Sequence, residues 1–452
     1  MTPPGTTGGL SLDELARAAG EPLERVREWR TAGVLGASER FTVADVERVC
    51  LIAVLRRRGV TLDAIRTMQE EIDGFVARVG RPPGTTVRTL PEAAAEVGLD
   101  VALAERVWTA AGLPATDLLD DRDVEFLRHW WTVRDVGQPE DALVEMARVL
   151  GDTVLRATEA MARITHFQLI KPLVGRGLSG PELRDAIGNA TGRLVPLAPR
   201  ILEHLTARLL AHASRDNFAL RVVDDRVEPG ELVVAIAFVD LSSFTPIADT
   251  MGDRASAEVL DRFSSLVREA GAHHDGRVAK QIGDAFMLVF TDPRAAVACA
   301  VEIERRAAAE PRFPALRVGI NWGPVLYRDG DYVGANVNVA ARVAAEAGRH
   351  EIVLTEPVRR AATPMADVEF RPLGRRRLRG VSDEIELFRA IEVGVGTTAR
   401  LVDPVCGMEI GAGEVAARLA LGERELVFCS ALCLQRYVAD PSRYAVAGGD
   451  AA

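Results

Sequence analysis

LVVAIAFVDLSSFT, residues 232 to 245, is an uninterrupted apolar run of strand character that ends in an aspartate, two serines and Phe-Thr before Pro246 opens a helix. The strand therefore presents a carboxylate, Asp240, at its end. Further on, GRVAKQIGDAFMLVF, residues 276 to 290, reads as two strands joined by Gly283-Asp284, a tight hairpin turn with a second carboxylate at its tip. Two strand-end aspartates can share divalent cations. Hard oxygen ligands of this kind suit magnesium or manganese, two per site, which can bridge a nucleotide's phosphates and activate a hydroxyl.

After a helix expected at about Arg294 to Glu310 comes LRVGINWGPVLYRDGDYVGANVNVAARVAAEAG, residues 316 to 348, a strand followed by a glycine-rich turn and a helix starting near Asn336. Asn338 and Arg342 lie four apart and share one helical face. An amide and an arginine projecting together can hold a ribose or a phosphate, the arginine through its forked donors.

In this order, these residues closely resemble the catalytic domain of class III adenylyl and guanylyl cyclases over residues 228–393, which implies an α+β, ferredoxin-like fold. The resemblance implies that Asp240, inside Phe238 to Thr245, and Asp284 bind two Mg2+ or Mn2+ ions. It implies that Lys280 and Asp331 read the base, and that Asn338 and Arg342 orient the ribose and stabilise the transition state. Lysine and aspartate there point to ATP, since Lys280 can donate to adenine N1 while Asp331 accepts from the amino group, a pattern reversed for guanine. Guanylate cyclase activity is the nearer alternative. Arg379, in RRRLRGV (375 to 381), stands where the family often places a triphosphate-contacting cation. In the family the metal aspartates come from one subunit and the base-reading and Asn/Arg groups from the other, so a head-to-tail homodimer making cyclic AMP is implied.

The chain has 452 residues, too many for one ordinary core, and is read as multidomain. No apolar run approaches the ~18 residues of a membrane span, and the N-terminus lacks the parts of a secretory signal, so a cytoplasmic protein without a membrane partner is expected. The net charge of −10 argues against a chain that coats nucleic acid. Only Lys171 and Lys280 among 55 basic residues are lysines, so a lysine at the base-reading position is the more telling.

Shifting the sequence by 78 residues aligns Ser11–Ile65 with Thr89–Leu143 without a gap, at 15 identities in 55 positions. Each unit reads as a short helix capped by Ser11 or Thr89, a turn at Gly20 or Gly98, a second helix, and a longer helix begun near Asp45 or Asp123. The first unit (1–75) resembles the winged helix-turn-helix head of MerR-type regulators, and 85–143 is a second, degenerate copy. Residues 11–68 hold ten arginines against nine acidic side chains and residues 89–143 four against twelve, so the basic excess of a phosphate-binding face is missing and DNA binding through 11–68 is disfavoured. Residues 144–227 read as coupling helices broken at Pro172, Gly175, Gly177, Gly180 and Pro181. The N-terminal half is thus α-helical.

The C-terminal segment holds DPVCGMEI and LVFCSALCLQRYVADPSRY, with three of the five cysteines. Residues 400–446 resemble small YHS or TRASH-like modules, implying an α+β unit in which Cys406, Cys429 and Cys433 bind a soft metal ion. No histidine lies nearby to complete a zinc set. The expectation is an adenylate cyclase regulated from both ends. The rival is a DNA- or signal-binding regulator whose cyclase domain serves dimerisation or nucleotide sensing.

Overall fold

The computed structural model describes residues 9–36, 38–79, 87–114, 118–178, 180–223, 231–242, 244–394, 401–422 and 424–444. The expected boundaries near 85, 228, 400 and 446 lie outside them. The chain forms two compact units, Met1–Val223 and Asp224–Ala452.

The first unit is helical, and the 78-residue repeat is visible in its hydrogen bonds. Leu12–Ala18, Leu23–Thr31 and Val43–Arg57 are answered by Leu90–Val97, Val101–Ala110 and Asp121–Asp135. Ser11 with Glu14 and Thr89 with Glu92 form reciprocal capping boxes, as do Thr42 with Asp45 and Asp120 with Asp123. An isolated bridge ties Leu10 to Phe41 in one copy and Arg88 to Leu119 in the other. Each copy has its own core, around Trp29, Ile52 and Ile65 in the first and Leu103, Leu127 and Trp130 in the second.

Beyond the repeats run the helices Glu140–Thr165, Lys171–Gly175, Gly180–Leu194 and Leu197–Val223. One wider π-turn, His166–Ile170, lies just before Pro172, whose missing N–H removes a regular helical bond. Among the described residues no helix is long and apolar enough to cross a membrane.

The second unit is built on a mixed sheet. Its strands are β1 (Glu231–Leu241), β2 (Arg277–Ile282), β3 (Ala285–Phe290), β4 (Leu316–Arg328), β5 (Asp331–Val333), β6 (Glu351–Thr355), β7 (Val368–Arg377) and β8 (Glu384–Glu392). Their order is β2-β3-β1-β4-β6-β8-β7 with β5 folded back on β4, and among the described residues only β4 and β6 pair in parallel. β1 is central, and its alternate residues serve two cores. Ala235, Ala237, Val239 and Leu241 pack against helices Phe244–His273, Pro293–Ala309 and Glu356–Ala362, while Val234, Ile236 and Phe238 face helix Ala335–Glu346. Asp240 follows the second set in register. One sheet face thus carries three helices and the other only one.

The C-terminal segment adds β9 (Leu401–Val402), β10 (Glu409–Ile410), β11 (Ala417–Leu421), β12 (Arg424–Phe428) and the helix Ala431–Ala439. These make two short antiparallel ribbons and one helix around a core of Cys406, Met408, Phe428 and Tyr437.

Candidate active site

Asp240 pairs across the ladder with Ala285 of β3, so Asp284 in the β2–β3 turn is its neighbour. The turn needs Gly283 at φ 63°, a left-handed conformation that glycine adopts without strain. On the other side Asp240 pairs with Arg317, whose guanidinium lies 3.8 Å from its carboxylate. Burial, and then the charge of Asp284, push the Asp240 carboxyl up to about 6, with Arg317 pulling the other way. Two carboxylates short of positive charge in a half-buried corner are a fitting donor set for hard divalent cations.

Lys280 and Asp331 are brought together by a different pair of strands. β2 shifts register between Val278 and Lys280, an irregularity of the kind that re-aims a side chain. The Asp329-Gly330 turn, with φ of 49° and 76°, folds β5 back so that Asp331 opposes Arg328. Lys280 Nζ then donates to Asp331 Oδ2 at 2.5 Å. Beside them Arg277 donates to the Tyr332 hydroxyl and lies over its ring at 5.5 Å, bracing β2 against β5. A donor and an acceptor stand side by side, both half-buried and open to a ligand.

Asn338 and Arg342 sit on the exposed side of helix Ala335–Glu346, opposite the buried Val337, Ala340 and Ala344. The helix is anchored by Asn321, which is buried and donates to the Asn336 carbonyl at 3.1 Å, while Thr355 donates to Asn321 Oδ1 at 2.8 Å. It lies so close to β4 that a Cβ on Gly319 would meet the Ala344 nitrogen at 2.0 Å. Among the described residues no hydrogen bond or ion pair joins Asn338 or Arg342 to the aspartates of the same chain. Arg379 is exposed in the turn after β7, next to the buried Leu378.

Cys406, Cys429 and Cys433 are gathered in one buried cluster. Their sulfurs are 3.5 Å (Cys406 to Cys429) and 3.6 Å (Cys429 to Cys433) apart. These separations are close to the about 3.8 Å edge of a tetrahedron drawn around an ion with metal–sulfur bonds of about 2.3 Å. The fully buried Asp403, which sequence reasoning missed, stands with them, all four ligand atoms within 4.8 Å of one another. Its carboxylate is already engaged, accepting from the backbone N–H groups of Val405 at 2.8 Å and Cys429 at 2.8 Å. The Asp-Pro-Val-Cys turn could have disclosed it, since a turn aspartate accepts from the backbone two residues on. Hydrogen bonds from Cys406 and Cys429 lower the Cys433 thiol, while the bonds of Cys406 to Cys429 and then to Cys433, with burial, raise Cys406. Three thiols gathered in this way are a fitting donor set for a soft cation.

Arg317 was also missed, because only the strand register reveals that it faces Asp240.

Two family models and several known proteins match this chain. Residues 230–389 match the model of the adenylate and guanylate cyclase catalytic domain, and residues 35–214 match that of the adenylate cyclase regulatory domain. A pH-sensitive adenylate cyclase of Mycobacterium tuberculosis is 28% identical over 372 residues, 79% of this chain and 92% of the relative. An adenylate cyclase of Glutamicibacter nicotianae is 28% identical over 56% of this chain and 66% of its own. Among solved structures, the adenylyl cyclase CyaB from P. aeruginosa aligns at 20% identity and a TM-score of 0.33, covering 38% of this chain and 100% of its own. The chain thus joins an adenylate cyclase regulatory domain, matched over residues 35–214, to an adenylate and guanylate cyclase catalytic domain, matched over residues 230–389.

Proposed function

We propose that this chain, an adenylate cyclase, converts ATP to 3',5'-cyclic AMP and pyrophosphate at a site completed by two copies of residues 228–393 arranged head to tail. The observation that carries the reading is the Lys280–Asp331 pair at 2.5 Å, a donor beside an acceptor. Adenine offers the matching acceptor at N1 and donor at its amino group, so the two side chains would exchange their mutual bond for two bonds to the base.

Asp240 and Asp284 would hold two Mg2+ or Mn2+ ions, which when bound supply a lowered pKa at the ribose 3'-hydroxyl and charge neutralisation at the triphosphate. Asn338 would hold the ribose oxygen, and Arg342 would balance the charge growing on the α-phosphate as the 3'-oxygen attacks and pyrophosphate leaves. Arg379 would meet the outer phosphates. Asn338 and Arg342 are exposed and, among the described residues, make no hydrogen bond or ion pair with the aspartates of their own chain, which favours their serving the aspartates of a second copy. The cysteine cluster would take a soft metal ion, and it and the helical repeats would adjust the rate.

The test is cyclic nucleotide production by the purified protein with manganese and either ATP or GTP, beside Asp284→Ala. Cyclic AMP from ATP that disappears in the variant supports the proposal. Cyclic GMP as the main product would overturn the base assignment, and no product at all would favour a domain kept for dimerisation or nucleotide sensing.

A further inference from the structure

The cysteine cluster does not stand apart from the catalytic sheet. On one side its helix Ala431–Ala439 starts with Ser430 accepting from the Cys433 N–H at 3.2 Å, and three residues on Arg436 donates to the Asp249 carbonyl at 2.9 Å and to Thr250 Oγ1 at 3.5 Å. Ile247, fully buried, is a member of the module's own core, next to Cys406 and Phe428. All three belong to the first part of helix Phe244–His273, which follows Asp240 and is set off from the rest by non-helical backbone at Gly252.

On the other side the strand after Cys406 carries Glu409, buried to 3% exposure. Its carboxylate accepts from Arg349 at 3.0 Å and meets His350 Nε2 at 2.7 Å, while Arg349 also donates to the Gly407 carbonyl at 3.0 Å. His350 turns its other nitrogen to Glu304 of helix Pro293–Ala309. Arg349 and His350 form the segment that leaves helix Ala335–Glu346, the carrier of Asn338 and Arg342.

We infer that the three-thiol cluster is a control point for the catalytic domain, in which a soft metal ion fixes Arg436 and Glu409 against the segments behind Asp240 and behind Asn338 and Arg342. The inference rests on the proposed cyclase activity and on soft-metal binding by Cys406, Cys429 and Cys433. Asp403 is a positioning residue in this arrangement, because its two carboxylate oxygens tie the Cys406 turn to the Cys429 strand end. The route is short: Cys433 and Arg436 share one helix, and Glu409 lies three residues from Cys406. A cation bound by thiolates on both sides adds a further link between these two contacts. Because the contacts reach the segments that follow Asp240 and the carrier of Asn338 and Arg342, occupancy alters the rate and leaves the identity of the nucleotide unchanged.

The probe is cadmium ion, whose thiolate complexes absorb in the near ultraviolet, titrated into the full chain while cyclic AMP formation is followed with manganese and ATP. Three proteins are compared: the natural chain, Cys433→Ser, and the double variant Arg436→Ala with Glu409→Gln. The natural chain should bind one equivalent with the charge-transfer band and change its rate by about fivefold or more. The double variant should bind with the same band and show little rate change. Cys433→Ser should lose the band, and it reports any action of cadmium at the catalytic aspartates. A double variant that responds like the natural chain overturns the route, as does binding by the natural chain without a rate change. Absence of the band in the natural chain overturns the soft-metal reading itself, and absence of cyclic AMP from all three overturns the cyclase reading, so each failure has its own signature. Thermal melting of the three proteins separates a folding defect from lost coupling.

Discussion

Under the proposed metal role of Asp240, a proton and a divalent cation would compete for one carboxylate. Burial and Asp284 place its titration at about 6, well above the usual aspartate range. Manganese affinity should therefore fall toward about tenfold per pH unit below that point. Equilibrium binding of manganese between about pH 5 and pH 7 checks this, and a flat affinity would put the ion elsewhere. The stability effect has the opposite sense to that of a salt-bridged aspartate. Because the folded value is raised, the folded chain binds the extra proton, and the metal-free protein gains stability from this group as pH falls through about 6 toward 3.8. Lys280 offers a second residue-scale test. Lys280→Glu replaces the donor to adenine N1 by an acceptor and leaves two carboxylates together, so kcat/KM for ATP should drop by about 100-fold or more, with the ATP-to-GTP preference shrinking alongside. An unchanged preference would remove Lys280 from base reading.

The helix Ala335–Glu346 depends on one residue outside it, Gly319. A methyl group at Gly319 cannot fit beneath the Ala344 backbone, so Gly319→Ala must lift the helix from β4. Overpacking of this kind costs about 1–3 kcal/mol, and a displacement of the Asn338 and Arg342 carrier should lower kcat more than it changes KM for ATP. Steady-state kinetics and a melting curve measure the two effects. Much of this architecture is legible in the sequence: the apolar run of β1, the Gly283-Asp284 turn and the four-residue spacing of Asn338 and Arg342 are local signals, and local hydrogen bonding is what they encode. Arg317 opposite Asp240 and Glu409 against His350 are not legible, because strand register and the seating of one element on another are settled by contacts between distant stretches of chain. The Glu409 contact is itself testable. Burial pulls the His350 imidazole down, but its bonds to Glu304 and Glu409 outweigh this and raise it to about 9. A raised histidine contributes fully below about 6.5 and loses that contribution as pH rises through about 9. With Arg349 the remaining cation beside Glu409, the seating of the C-terminal module should weaken by roughly 1–2 kcal/mol across that window after allowance for solvent. Protease sensitivity of the C-terminal module, measured from pH 6 to about pH 10, should rise accordingly, and the rise should be much smaller in His350→Gln.

For the whole molecule, a head-to-tail pair predicts rescue between two dead proteins. Asp284→Ala spoils the metal set and Arg342→Ala the phosphate set, so a mixed dimer keeps one intact site. Equal mixing gives half mixed dimers with one of two sites working, or about a quarter of the natural rate, while each variant alone stays near background. Absence of rescue after co-expression would argue for a site complete within one chain. In the helical unit the two copies of the 78-residue repeat share their capping boxes and their single bridge, yet Trp29 corresponds to Val107, Ile52 to Trp130 and Phe41 to Leu119. What the two copies keep alike is the scaffold of chain reversals, and what differs is the packing of the interior. Swapping a single interior side chain between the copies would leave a hole or a clash, whereas exchanging one whole copy for the other would carry its matched interior along, so this half of the protein is open to evolution by shuffling of complete units and nearly closed to it residue by residue.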